Sequence, residues 1–358
     1  MNLLIIGLGY AGTRFLNAFL SVDSLTIEGG LRPAYVGRRA GKRDIPYFSD
    51  VPSALAQWRP EIVVVAVTDG EHAGVLAQLA GYPGFVICEK PLANSGDDLS
   101  STTRALDRVS GFCLNLVERY SEAAQFLKQY VHDHRLSLIR SHFIWGKDRI
   151  HDHRPTCGVP SEIIHALDLV NWIAAPEKQL VLEDAIGTTS NFSVSGDAVL
   201  DSVAIVARLG TSVVSGYSSF VNITRQRTLD FALGSPDGKL IYAQLIFDTP
   251  SWDIDHLRIW ERTHAEDRVL AAFTTSFPDS PPSLLTIQKL RRLVLDVLGF
   301  AGHGICPRQA FADLSSAVAI QVLLNQIEHT ARTTGPVKYV LTAARPIVAS
   351  DGDLERLG

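Results

Sequence analysis

Residues 2–6 (NLLII) are an unbroken apolar run that glycines close at once, which reads as a strand covered on both faces and followed by a tight turn. From Thr13 to Leu20 the apolar residues fall at helical spacing. The alternation then repeats. Ala34–Val36 is a short apolar stretch ending at Gly37, and Glu61–Val67 (EIVVVAV) is nearly continuous in Val and Ile. Glu71–Ala80 has helical spacing, Phe85–Cys88 reads as a strand, Leu99–Val109 as a helix and Gly111–Val117 as a strand. Strands alternating with helices predict a doubly wound α/β unit with a parallel sheet.

Past Arg119 the texture changes. A helix is predicted over Glu122–His132, an alternating strand over Ser137–Trp145, and then a polar loop rich in His, Asp and Arg. Leu180–Ile186, Asp201–Leu209, Ser212–Val221, Gln226–Leu233 and Lys239–Ile246 are strand-like runs punctuated by Gly, Asp and Pro. They predict a mostly antiparallel open sheet with helices over one face. A strong helical stretch, Ala310–Thr330, is ended by Gly335 and Pro336. The expected division is residues 1–120 as a nucleotide-binding domain and 121–358 as an α+β substrate and oligomerisation domain, with the helix at 310–330 a candidate to pack back on the first.

With 358 residues, 46% of them hydrophobic and 20% charged, the chain is long enough for two cores. A net charge of −5 gives no basic footprint, so a nucleic-acid partner is not expected. The apolar run at 2–6 is too short for a leader or a membrane span, so a cytoplasmic protein without membrane contact is expected. Cys88, Cys113, Cys157 and Cys306 are widely spaced, which argues against a zinc knuckle or a disulfide framework.

GLGYAG places Gly7, Gly9 and Gly12 where a dinucleotide site needs a tight turn, close approach to the pyrophosphate and close helix packing. Tyr10 and Ala11 complete the turn. Because the motif follows a strand and opens a helix, the first domain is read as a Rossmann unit. At the end of the second strand, where a carboxylate would meet the ribose 2′-hydroxyl of NAD, the chain has Gly37, Arg38 and Arg39. Guanidinium groups suit a 2′-phosphate, so NADP(H) is the expected cofactor.

TDGEH (Thr68–His72), CEKPLA (Cys88–Ala93), NLVERY (Asn115–Tyr120), VPSEIIHALDLVNW (Val159–Trp172) and LLNQIEHTARTTGPV (Leu323–Val337), together with GLGYAG, resemble the Gfo/Idh/MocA oxidoreductases. The resemblance implies that Lys90 lies between nicotinamide and substrate, that Pro91 follows a cis peptide, and that His165 faces the lysine across the cleft. Where that family often has an Asp, four residues before the histidine, this chain has Ser161. Glu162 and Asp168, each three residues from His165, are left as substitutes, beside a relay without any carboxylate.

Lys90 and His165 are therefore the catalytic candidates. Gly7, Gly9, Tyr10, Ala11, Gly12, Arg38, Arg39, Thr68, His72, Glu89 and Lys90 are expected at the cofactor. Lys90, Arg119, Asp148, Asp152, Ser161, Glu162 and His165 are expected at a small-molecule substrate. His151, Asp152 and His153 are adjacent and lack metal-ligand spacing, so no metal is expected. The function read from this set is an NADPH-dependent reductase of a sugar or aminosugar ketone, as in aminoglycoside biosynthesis. The alternatives are a sugar or cyclitol dehydrogenase, a cyclic imine reductase, or a non-catalytic NADP(H) sensor. By analogy with the family, a homodimer or homotetramer is expected.

Overall fold

The computed structural model describes residues 1–26, 30–40, 44–149, 155–264 and 266–339. Among these the chain divides into two compact units. The first takes Met1–Val117 and Ile287–Gln321, and the second takes Glu118–Thr286 and the stretch from Val322 onward. Residues 287–321 thus join the first unit, where the sequence reading had assigned them, apart from the helix at 310–330, to the second.

The first unit holds β1 (Asn2–Ile6), α1 (Tyr10–Thr26), β2 (Arg32–Val36), β3 (Tyr47–Phe48), α2 (Val51–Trp58), β4 (Ile62–Val65), α3 (His72–Ala77), β5 (Phe85–Cys88), α4 (Leu99–Ala105) and β6 (Gly111–Leu114). Its six strands run in the order β3-β2-β1-β4-β5-β6, all parallel. That is the doubly wound arrangement the alternating pattern predicted. Leu3, Leu4 and Ile5 of β1 and all four residues of β4 and β5 are fully buried, as strands flanked by helices on both faces must be.

Before the second unit's strands come α5 (Glu122–Asp133), β7 (Ser137–Asp148) and α6 (Pro160–Ala174). Then follow β8 (Leu180–Ser190), β9 (Val199–Leu209), β10 (Ser212–Ser219), β11 (Val221–Gly234), β12 (Leu240–Ile246), β13 (His256–Arg262) and β14 (Asp267–Thr274). After these the chain forms α7 (Gln288–His303) in the first unit, α8 (Leu314–Thr330), and β15 (Arg332–Val337), which returns to the second unit's sheet. The nine strands are ordered β14-β13-β12-β11-β7-β10-β9-β8-β15. Two pairings are parallel, β10 with β7 and β15 with β8, and the others antiparallel. α6 packs on β7 and β10, and α5 on α6, β12 and β13. Every residue of α6 from Pro160 to Val170 is buried, so its polar side chains must find partners inside the protein.

Candidate active site

In the first unit, five strands end in step. Ile6 pairs with Val36 and Val65, Val65 with Cys88, and Cys88 with Leu114. The residues just past these ends therefore share the carboxyl edge of the sheet, where open α/β sheets bind ligands. They are the glycine turn, Arg38 and Arg39, the loop around Thr68, Glu89 and Lys90, and Asn115.

The three glycines have different physical roles. Gly7 has φ +91°, and a Cβ there would lie 2.8 Å from the Ala66 carbonyl oxygen. A Cβ on Gly12 would lie 2.0 Å from the Gly7 carbonyl oxygen, so this glycine lets α1 meet the turn. A Cβ on Gly9 meets nothing within 4 Å. Only Gly9 therefore opens its backbone to free space, as contact with a pyrophosphate requires. α1 begins at Tyr10, followed by Ala11, and carries no acidic residue in its first turn, which leaves the positive end of the helix dipole uncompensated for phosphate. Arg38 and Arg39 are exposed just beyond β2. These residues fit a dinucleotide.

Thr68 is exposed ahead of a short turn, and His72 is wholly buried. The His72 Nδ1 donates to the Pro91 carbonyl at 2.6 Å, and its Nε2 lies 3.2 Å from the Val67 carbonyl. It thus ties the loop after β4 to the loop after β5. The Lys90–Pro91 peptide is cis, as the resemblance implied. Glu89 accepts from the Asn115 Nδ2 at 2.7 Å and from the Lys90 backbone N–H at 3.3 Å, so β6 braces the segment that carries the half-buried Lys90.

In the second unit, α6 sets Glu162, His165 and Asp168 at intervals of three residues, and the structure partners each of them. Asp168 accepts from Arg119 in two hydrogen bonds, Nε at 2.8 Å and Nη2 at 2.5 Å, with both side chains buried. The fully buried Glu162 accepts from the Lys147 Nζ at 2.5 Å and from the Arg227 Nη2 at 3.2 Å. His165 stacks on Trp145, with centroids 5.7 Å apart and planes at 26°. Ser161 donates to the Gly158 carbonyl at 3.0 Å and lies 3.3 Å from the Thr156 hydroxyl, which makes it part of the α6 opening.

Three residues expected at the substrate have structural partners within the second unit: Arg119 is bound bidentately by Asp168, Glu162 by two cations, and Ser161 by the turn before its helix. Of the remaining substrate candidates, Asp148 is exposed at the end of β7, and Asp152, like His151 and His153, lies outside the described residues.

Arg227 was not anticipated. It pairs with Asp248 and with Glu118 at 3.5 Å, and its guanidinium carbon lies 5.1 Å from the Trp145 ring and 4.9 Å from the Trp252 ring. Burial alone would lower its pKa, but Asp248, Glu162 and Glu118 outweigh that and hold it above the ordinary arginine value. Its signal was in the sequence, since Arg227 takes the inward register of Leu229 and Phe231 on β11. Nearby, the Lys128 Nζ sits 4.0 Å from the Trp172 ring, and burial, assisted by Arg119, lowers its pKa to about 8.

Residues 1–114 match the model of the Gfo/Idh/MocA family, described as "Oxidoreductase family, NAD-binding Rossmann fold". The first 114 residues are thus similar to that family's Rossmann domain, in line with the resemblance of the motifs. No curated protein matches it in sequence. Among solved structures it is similar to levoglucosan dehydrogenase in complex with NADH and L-sorbose, at 15% identity and a TM-score of 0.72, covering 92% of this chain and 97% of that one. It is also similar to myo-inositol 2-dehydrogenase from Lactobacillus plantarum, at 13% identity and a TM-score of 0.66, covering 92% and 97%. UDP-N-acetylglucosamine 3-dehydrogenase from Acidithiobacillus ferrooxidans matches at 16% and 0.66, with the same coverage. At these identities the likeness is one of fold. Among the described residues no helix is long and apolar enough to cross a membrane.

Proposed function

We propose that the protein is an NADPH-dependent reductase that acts on the ketone of a sugar-type substrate. The observation that carries this reading is the shared carboxyl edge of the first sheet, where the open Gly9 backbone, the Arg38–Arg39 pair and the braced Lys90 stand together. Gly9 and the start of α1 would receive the pyrophosphate, and Arg38 and Arg39 the 2′-phosphate. Nicotinamide supplies the hydride when the cofactor is bound.

Lys90 is the donor to the substrate carbonyl oxygen. As a cation it stabilises the growing alkoxide more than the neutral carbonyl, which is what accelerates the step. His165 delivers the proton that converts the alkoxide to the alcohol, its imidazole being the side chain whose ordinary pKa is nearest neutrality. Glu162 and Asp168 are already matched by Arg227, Lys147 and Arg119, so they offer little to an ammonium group on the substrate. The exposed Asp148 can still meet one, so the proposed substrate is a sugar or aminosugar ketone.

Oxidation of a sugar alcohol is the second reading, favoured by the dehydrogenase names of the structural neighbours. The test is NADPH consumption against a panel of keto sugars, with NADP+ and the matching alcohols as the reverse arm. Turnover in either arm assigns the direction. NADPH binding without turnover in both would make the protein a sensor and overturn the proposal. For quaternary structure the proposal is a homo-oligomer joined through the outer face of the second sheet.

A further inference from the structure

We propose that Arg227 is a positioning residue for His165, fixing its imidazole through Trp145 and Glu162. The inference rests on the reading of His165 as the proton carrier.

Two groups of the second unit are placed toward His165, one by a contact and one by helix spacing. One is Trp145, whose ring stacks on the imidazole at 5.7 Å. The other is Glu162, one turn earlier on α6. Arg227 reaches both. Its guanidinium carbon lies 5.1 Å from the Trp145 ring centroid, and its Nη2 donates to Glu162 at 3.2 Å. Arg227 is itself held by Asp248, by Glu118 at 3.5 Å and by the Trp252 ring at 4.9 Å, and only 2% of its surface is exposed. A buried cation this well surrounded moves little, so it passes one fixed geometry to the indole and the carboxylate. Leu229 and Phe231 show what the same face of β11 uses where packing alone is needed.

The charge of the cluster gives Arg227 a second effect. Arg227 pairs with Glu118, Glu162 and Asp248, and Lys147 pairs with Glu162. Asp168 and Arg119, one turn beyond His165, form a pair that cancels itself. Asp255 accepts from the Asp248 backbone, and Asp253 donates its backbone N–H to the Asp248 side chain, so both stand behind Asp248. Removing Arg227 takes one positive charge out of a buried cluster that salt screens poorly. The surplus negative charge favours the imidazolium, so His165 would hold its proton to higher pH.

The test is a side-chain ¹⁵N NMR titration of His165 in the full-length protein, with its resonances assigned by their loss in His165→Gln. In Arg227→Gln the His165 midpoint is expected to rise by about one pH unit, a tenfold change in proton affinity. In Arg227→Gln with Asp248→Asn the cluster charge is restored. The midpoint should then return while the ring protons lose their upfield displacement from Trp145. The double variant also serves if the single one does not fold. Unchanged midpoint and ring shifts in both variants overturn the proposal. NADPH turnover separates this from the reading beneath it: His165→Gln with full kcat sinks the proton-carrier role whatever the titration shows. With the role intact, Arg227→Lys should lower kcat tenfold or more at unchanged NADPH affinity.

Discussion

The backbone that carries Lys90 is held in place by its neighbours. Glu89 is fastened to Asn115 at 2.7 Å, and Pro91 to His72 at 2.6 Å, so the residue between them has little freedom of backbone. Replacing Lys90 by Met, or His165 by Ala, should lower kcat by roughly a hundredfold to ten-thousandfold, the usual worth of a placed proton donor. NADPH affinity, measured by fluorescence titration, should change little in the His165 variant, and a folded, cofactor-bound variant with near-normal kcat would remove that residue from the chemistry. Coenzyme choice is expected to rest on Arg38 and Arg39. Arg38→Asp with Arg39→Ala should reduce the NADPH to NADH preference in kcat/KM by roughly tenfold to a hundredfold, as the loss of one charge-assisted contact implies. The glycines, Arg38, Arg39 and Lys90 were legible because each sits next to a strand end that the apolar pattern marks. The fate of Glu162 and Asp168 was not, because their partners lie 65 and 49 residues away and no local spacing carries that information.

Among elements, most strands and helices of the first 117 residues read clearly from periodicity, while the short β3 and α2, and later β13, β14 and α7, did not. β13 buries Leu257 and Ile259 but turns His256 and Arg258 outward, and β14 lies at a sheet edge with its first three residues exposed, so neither forms an apolar run. α7 is amphipathic, with Leu290, Leu293, Val294 and Val297 on its buried side, but the lysine and arginines among them mask the stripe. The packing of α5 on α6 has a pH signature through Lys128. Its folded pKa of about 8 lies below the ordinary lysine value of 10.5, chiefly because the ammonium is partly buried. Between these values the unfolded chain binds more protons than the folded one, so this group's contribution makes stability rise with pH across about 8 to 10.5 and opposes folding below it. Lys128→Met should flatten that part of the curve of urea midpoint against pH. An unchanged curve would mean that solvent reaches the ammonium too freely for the effect to appear. At the glycine turn, Gly12→Ala should cost both fold and cofactor binding, since its Cβ would press on the Gly7 carbonyl, whereas Gly9→Ala should weaken NADPH binding with the melting temperature nearly unchanged.

For the whole molecule, the sequence announced two domains and offered the helix at 310–330 as a return to the first, but not that residues 287–309 return as well. Residues 287–321 return to it because Phe300 and Phe311 pack edge-on against Phe85 of β5 at 5.7 and 5.3 Å, a contact between segments some two hundred residues apart in the chain that no window of sequence displays. Assembly is the remaining question at this scale, and the second sheet gives it a physical basis. Its inner face is covered by α5 and α6, while the outer face shows Val181, Ile186, Val206 and Val213, each between 44% and 52% exposed. Register places them together: Val181 and Val213 both pair with Arg208, and Ile186 pairs with Ala204, two positions from Val206 on β9. Aliphatic side chains side by side on a broad open sheet are more easily buried against a second copy than kept in water, and a face meeting its own copy forms a closed, two-fold contact. Sedimentation equilibrium should therefore give a dimer or tetramer of the 39.1 kDa chain, and Val206→Glu with Val213→Glu should drive it to the monomer by placing charges in the contact. NADPH binding should survive in that monomer, because the glycine turn, Arg38 and Arg39 belong to the first unit alone. A wild-type protein that sediments as a monomer at every concentration, or a double variant that stays assembled, would place the contact elsewhere or remove it.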